Sequence, residues 1–358
     1  MNNSKNRINY LDAAKGIGII MVCLGHAVTN TKLPINSSYH VLLQFISQFH
    51  MPLFFLLGGM VFSDKYAANP IKSSIKKFIA YYIPFVVYNM IFVLLHNVMH
   101  TMYIFPDKYD IKMFIKTTIN VFTMHIQGIC GAMWFLRCLL TIVLMFIWIR
   151  YISGKLFHGR YQEPMTAVVV ILLSVLSQTS IFPTVFKINL ACYYMIFYYI
   201  GFLIRKYDLS ALIKRYRILL FAVGLGVNVC VALNYTYAIG GNSGGYIVLL
   251  RFIVQVIGSI MILALVQWNP IADSKLLTVL GRKSLDIMAL HFVCFKVVSF
   301  IIIKVYDLSM TNMATIPVVI GSGGLWVLAY VLVGLGIPTG TRYIYDICKN
   351  KIRQRGVR

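Results

Sequence analysis

The chain has 358 residues, 59% of them hydrophobic and only 12% charged, with a mean hydropathy of +0.78. That is more apolar surface than a soluble domain of this length can hide. A net charge of +23 would suggest nucleic acid in a soluble chain, but here the basic residues gather in short loops on alternate sides of apolar runs, as retention at an anionic cytoplasmic leaflet requires. No nucleic-acid partner is expected, and most of the surface should face the lipid bilayer.

Apolar length, punctuated by Pro, Gly and charge, predicts ten membrane spans at about 9–29, 39–63, 78–98, 132–151, 164–180, 189–204, 218–237, 246–268, 284–304 and 315–337. The first begins near Asn9, carries Asp12 and Lys15 and has no small-residue cleavage site, so it reads as a retained span rather than a removed signal. With the N-terminus in the cytoplasm, 23 of the 33 Lys and Arg fall on the inner side, 6 on the outer side and 4 inside spans. Reversal would put the 23 outside, against the positive-inside rule.

Residues 111–127 have apolar positions at nearly helical spacing with Lys112 and Lys116 between them, which predicts an outer interfacial helix or a re-entrant piece. Residues 240–245, GGNSGG, read as a flexible outer loop, and no internal repeat of the inverted transporter kind is present. The expectation is an all-α integral membrane protein, a bundle of about ten transmembrane helices with both termini cytoplasmic. Residues 1–358 then form one membrane domain, with 1–8 and 338–358 as cytoplasmic tails.

A charge at the bilayer centre costs about 2.5–3.5 kcal/mol on insertion scales, so an ionisable residue within a span is a functional candidate. Asp12, Lys15 and His26 share one face of the first span at about 100° per residue. Asp12 and Lys15 can pair one turn apart, and His26 lies about 16 Å further along. The plainer alternative is a snorkelling Lys15 with its counter-ion and a His26 at the far interface.

In the second span Pro52 removes the hydrogen bond to the Gln48 carbonyl and should kink the helix beside His50. A histidine that merely caps that carbonyl is an equal reading. Trp134 and Arg137 open the fourth span near the outer interface, where an aromatic belt accounts for the indole. Arg251 begins the eighth, and Ser284 reads as the N-cap of the ninth, with His291 buried two turns later.

A neutral imidazole is the usual general base near pH 7, so three buried histidines suit proton transfer. There is no HExxH, no carboxylate cluster and no GxSxG elbow. The seven cysteines, Cys23, Cys130, Cys138, Cys192, Cys230, Cys294 and Cys348, form no CxxC pair, so neither a zinc site nor a disulfide framework is indicated.

Five segments in order carry a family likeness: Leu11-Asp12-Ala13-Ala14-Lys15-Gly16 leading to Leu24-Gly25-His26, Phe49-His50-Met51-Pro52-Leu53-Phe54-Phe55, Met133-Trp134-Phe135-Leu136, Tyr199-Ile200-Gly201, and Leu280-Gly281 to Ser284 and His291. In these the chain resembles acyltransferase family 3, the multi-pass membrane O-acyltransferases, and within it the branch similar to fucose O-acetylases. The resemblance implies transfer of an acyl group, usually acetyl from cytoplasmic acetyl-CoA, to a sugar hydroxyl of a cell-surface polysaccharide or its lipid-linked precursor. It implies the bacterial cytoplasmic membrane, no permanently bound cofactor and no metal.

Carried onto this chain, the resemblance makes His26 the base that deprotonates the sugar, with Asp12 fixing Lys15 and His50 as a second proton partner. Lys15, Lys72, Lys76 and Lys77 would meet the donor phosphates while the pantetheine arm spans the distance to His26. Lys15 stands where the family more often has Arg, and keeps the charge without the bidentate geometry. Trp134, Arg137, Arg251, Ser284 and His291 would be supporting or acceptor-side residues, and a homo-oligomer is compatible. The rival readings are a proton-coupled transporter of a small organic acid and a non-catalytic scaffold for glycan assembly.

Overall fold

A computed structural model describes residues 9–29, 38–157, 159–179, 181–182, 187–234 and 245–355, and every regular element among them is helical. The first half contains α1 (Asn9–Val28), α2 (Ser38–Ser47), α3 (His50–Met60), α4 (Lys65–Ala68), α5 (Pro70–Leu94), α6 (His96–Thr101), α7 (Ile111–Phe122) and α8 (Trp134–Leu156). The second contains α9 (Gln162–Leu176), α10 (Ile188–Lys206), α11 (Leu209–Arg215), α12 (Arg217–Leu233), α13 (Gly245–Leu265), α14 (Asn269–Ala272), α15 (Lys275–Arg282), α16 (Ser284–Val305) and α17 (Leu325–Arg355).

Eight runs are long and apolar enough to cross a membrane, and the α11–α12 pair, bent by 81°, makes a ninth. At 15 residues, about 22 Å, α9 is short of the ~30 Å hydrocarbon core. It nevertheless runs antiparallel to α10, since Glu163 at its start pairs with Lys206 at the end of α10 while Ser174 donates to the Cys192 carbonyl at 2.9 Å. The same alternation holds elsewhere. Gly18 and Gly25 of α1 lie against Phe54 and Ile46, and Tyr330 and Arg342 of α17 meet Ser299 and Asp286 of α16. Eight to nine candidate spans, with the shorter α9 beside α10, make up the bundle, and the start of α1 and the end of α17 lie at one end of it, called proximal here.

Three expected boundaries move. The second pass is broken at Gln48–Phe49, where Phe49 (φ −135, ψ −18) leaves helical geometry, and Pro52 sits in the first turn of α3, where its missing N–H is not needed. The last pass begins at Leu325 rather than 315 and continues as helix through Pro338 to Arg355, across the segment expected as a tail. Residues 111–122 form a separate helix, α7, whose first turn is capped by Asp110 accepting from the Met113 N–H at 2.7 Å. It packs along α5 through Tyr82, whose hydroxyl donates to the Phe122 carbonyl at 2.8 Å. Residues 240–244 of the glycine loop lie outside the described residues.

Apolar side chains drive little association within a bilayer, so close backbone contact through small residues matters more. A Cβ on Gly281 of α15 would strike the Asp12 carbonyl, and one on Gly16 of α1 the Leu277 carbonyl. Gly59 and Gly201 do the same for α3 against α10. Two apolar cores result: one includes Leu53, Phe55, Phe146 and Phe197, the other Phe85, Ile287, Phe295 and Tyr330, and α1 contributes to both.

At the proximal end Arg150 is 1% exposed and bonds Asp64 at 2.9 Å, Glu163 at 2.7 Å and Thr166 at 3.1 Å. With Lys206 on Glu163, two cations meet two carboxylates and clamp α8, α9, α10 and the segment after α3.

Candidate active site

A cavity of about 320 Å³ follows α1 along the seam between the two cores. Lys15, Arg282 and Ser284 line its proximal mouth, Phe54, Leu57, Gly58, Tyr81 and Leu139 its walls, and His26 and Trp134 its distal end. From Lys15 to His26 is eleven positions of one helix, about 16 Å.

The mouth is built by the glycine contact between α1 and α15. That approach sets Arg282 beside Asp12, with Nε 3.2 Å from Oδ2, and Lys15 Nζ lies 3.8 Å from the other carboxylate oxygen. Asp12 itself is 3% exposed. Two cations gathered at a buried carboxylate make the mouth basic, which suits an anionic group. Arg282 is the site residue that sequence reasoning missed, having counted it only as a loop cation. Ser284 does not cap α16 as expected. Lys283 occupies the cap position, no side chain caps it, and Ser284 lines the cavity instead.

At the distal end the rings of His26 and His291 stack with centroids 5.4 Å apart at 28°, and the Phe292 ring stands nearly perpendicular to His26 with centroids 4.8 Å apart. His291 is fully buried, its Nδ1 2.9 Å from the Ile287 carbonyl. Its Nε2 has no hydrogen-bond partner among the described residues. His50 interacts electrostatically with His26, and its Nδ1 lies 2.8 Å from the Ile46 carbonyl. The carbonyl it satisfies is thus that of Ile46, exposed by the helix break, and not that of Gln48.

Other expected residues lie elsewhere. Asp12 is fourteen positions, about 21 Å, from His26, and its partners are cations. Lys72 and Lys76 are exposed and Lys77 sits over the Tyr66 ring at 4.2 Å, so none of the three lines the cavity. Arg137 donates to the Met124 carbonyl at 2.9 Å. Arg251, with Gln48 and Gln255, borders a separate space of about 10 Å³, room for about one water molecule. Among the described residues no group of three His, Cys, Asp or Glu is placed to hold a metal ion.

A histidine at the end of a largely apolar passage, with a cationic mouth about 16 Å away, is arranged for a long substrate with a charged head and a reactive tip. No curated protein and no solved structure matches the chain. A family model described as an acyltransferase domain matches residues 8–338. The match takes in every residue that lines the His26 cavity, and the chain belongs to acyltransferase family 3, a family of membrane acyltransferases.

Proposed function

We propose that the protein is an O-acetyltransferase of the bacterial cytoplasmic membrane, which moves acetyl from cytoplasmic acetyl-CoA to a hydroxyl of a surface polysaccharide or its lipid-linked precursor. The observation that carries this reading is the single passage joining Lys15 and Arg282 to His26. In it the donor phosphates meet Lys15 and Arg282 at the proximal mouth, the pantetheine arm lies along the apolar wall, and the thioester reaches His26.

His26 takes the proton of the acceptor hydroxyl as its oxygen attacks the thioester carbonyl. The new C–O bond forms, the C–S bond breaks, and the leaving thiolate receives the proton from His26. Trp134, which lines the same cavity as His26, offers an aromatic face to a sugar ring, and Ser284 a hydroxyl to the donor near the mouth. Asp12 acts on the cations, holding them at the mouth rather than touching the reacting atoms.

The test is incubation of the purified protein in lipid nanodiscs with radiolabelled acetyl-CoA and mixed glycans, wild type beside His26→Ala. The expected result is unchanged donor binding with transfer reduced at least ~100-fold. A His26→Ala protein that binds donor and transfers at the normal rate would remove the assignment, and failure of the wild type to bind acetyl-CoA would remove the donor.

A further inference from the structure

The ring behind His26 has an orientation that the chemistry so far does not use. The Ile287 carbonyl can only accept, so the Nδ1 of His291 facing it at 2.9 Å carries the proton. In a neutral ring the Nε2 is then a bare lone pair. That atom is buried and has no partner among the described residues, a costly state for an acceptor in an apolar surrounding. Three rings pack on His291: Phe292 at 4.5 Å, Phe295 at 5.5 Å and His26 at 5.4 Å. Of these only His26 carries an N–H.

The surroundings of His26 show the complementary gap. Among the described residues no ion pair or hydrogen bond joins His26 to a carboxylate, and its ring contacts are His291 and Phe292. Asp12 lies about 21 Å away, bound to Arg282 and Lys15. His50 spends its Nδ1 on Ile46 and, among the described residues, makes no ring contact with His26. The two rings stack with centroids 5.4 Å apart; no hydrogen bond joins them in this arrangement, and one of about 3 Å forms only when a nitrogen of His26 turns toward His291 Nε2.

We propose that His291 is the positioning partner of His26, a neutral imidazole standing where a carboxylate more often orients a catalytic histidine. This rests on the reading of His26 as the base. His26 gives its one N–H to His291 Nε2, which leaves its other nitrogen as a lone pair toward the cavity. When that nitrogen takes the acceptor proton, the resulting imidazolium stays bonded to His291 until the proton passes to the departing thiolate. A neutral partner does this without a lasting negative charge inside a span.

The experiment compares His291→Phe, which keeps ring packing but removes the acceptor, with His291→Gln, whose amide oxygen sits near the position of Nε2. In His291→Phe kcat should fall about 10- to 100-fold with donor KM and melting temperature unchanged, and His291→Gln should recover most of the loss. Nitrogen-15 NMR of histidine-labelled wild-type protein in nanodiscs, assigned with His26→Ala, should show His26 in a single tautomer and His291 protonated at Nδ1 only. Wild-type kcat in His291→Phe, equal losses of kcat and melting temperature in both variants, or mixed tautomers at His26 in the wild type would each overturn the proposal. If the wild type transfers no acetyl, the functional reading fails by itself, and the NMR measurement still decides the pairing.

Discussion

Arg282 and Lys15 meet at one carboxylate, that of Asp12, and both line the cavity mouth. A donor phosphate there gains a charge-assisted contact, and about 1.4 kcal/mol of it is a factor of ten in affinity. Arg282→Gln should therefore raise the acetyl-CoA dissociation constant about tenfold and leave kcat nearly unchanged, as read by calorimetric titration and steady-state kinetics in nanodiscs. The triple replacement of Lys72, Lys76 and Lys77 by Gln should alter both by less than about twofold. The opposite ranking would move the phosphates to the start of α5. Lys15 and His26 were legible in the sequence because helical periodicity is local. Arg282 was not, because its meeting with Asp12 spans 270 positions and depends on two glycines whose packing no periodicity reports. The cap expected at Ser284 failed for a related reason. A separate helix, α15, ends two residues before it, at Arg282, and the short break between the two helices falls on Lys283.

The elements themselves were largely legible, since apolar length reports burial in lipid whatever the tertiary partners. Each of the ten expected segments contains a helix, and eight to nine of the runs qualify as spans; the errors are at breaks. Pro52 was read as a kink within a span and Pro338 as the stop after one, yet the first lies in the opening turn of a helix and the second inside one, because proline removes a donor that a first turn does not use and that a long helix can lose. Glycine carries the opposite lesson. Leu280-Gly281 and Tyr199-Ile200-Gly201 were noted as patterns, and the structure supplies their cause in backbone contact between α15 and α1 and between α10 and α3. Gly281→Val should lower stability by about 1–3 kcal/mol and weaken donor binding, by separating Arg282 from Asp12. Gly336→Ala in α17, where an added Cβ meets nothing within 4 Å, should be neutral or stabilising by up to about 1 kcal/mol. Thermal unfolding in one detergent, with acetyl-CoA binding measured on the same samples, checks both. Equal destabilisation by the two changes would mean that glycine matters here through helix propensity rather than through contact.

For the whole molecule, the alternating helices bring Lys15, Arg282, Arg342, Lys206 and Arg150 to the proximal end, together with both ends of the described chain. Basic loops are retained in the cytoplasm, so the same arrangement that sets the orientation also sets which compartment reaches the cavity mouth. Tail, mouth and donor must then share one side. Two native cysteines are exposed, and one of them, Cys348, lies near the end of α17 at this proximal end, while the other, Cys230, lies within α12. A membrane-impermeant maleimide applied to intact cells should leave Cys348 unmodified and should modify it after permeabilisation, with Cys348→Ser abolishing that signal. Modification of Cys348 in intact cells would place Lys15 and Arg282 outside. Cytoplasmic acetyl-CoA could not then reach them, and a donor from the other side of the membrane would have to be sought for the same passage.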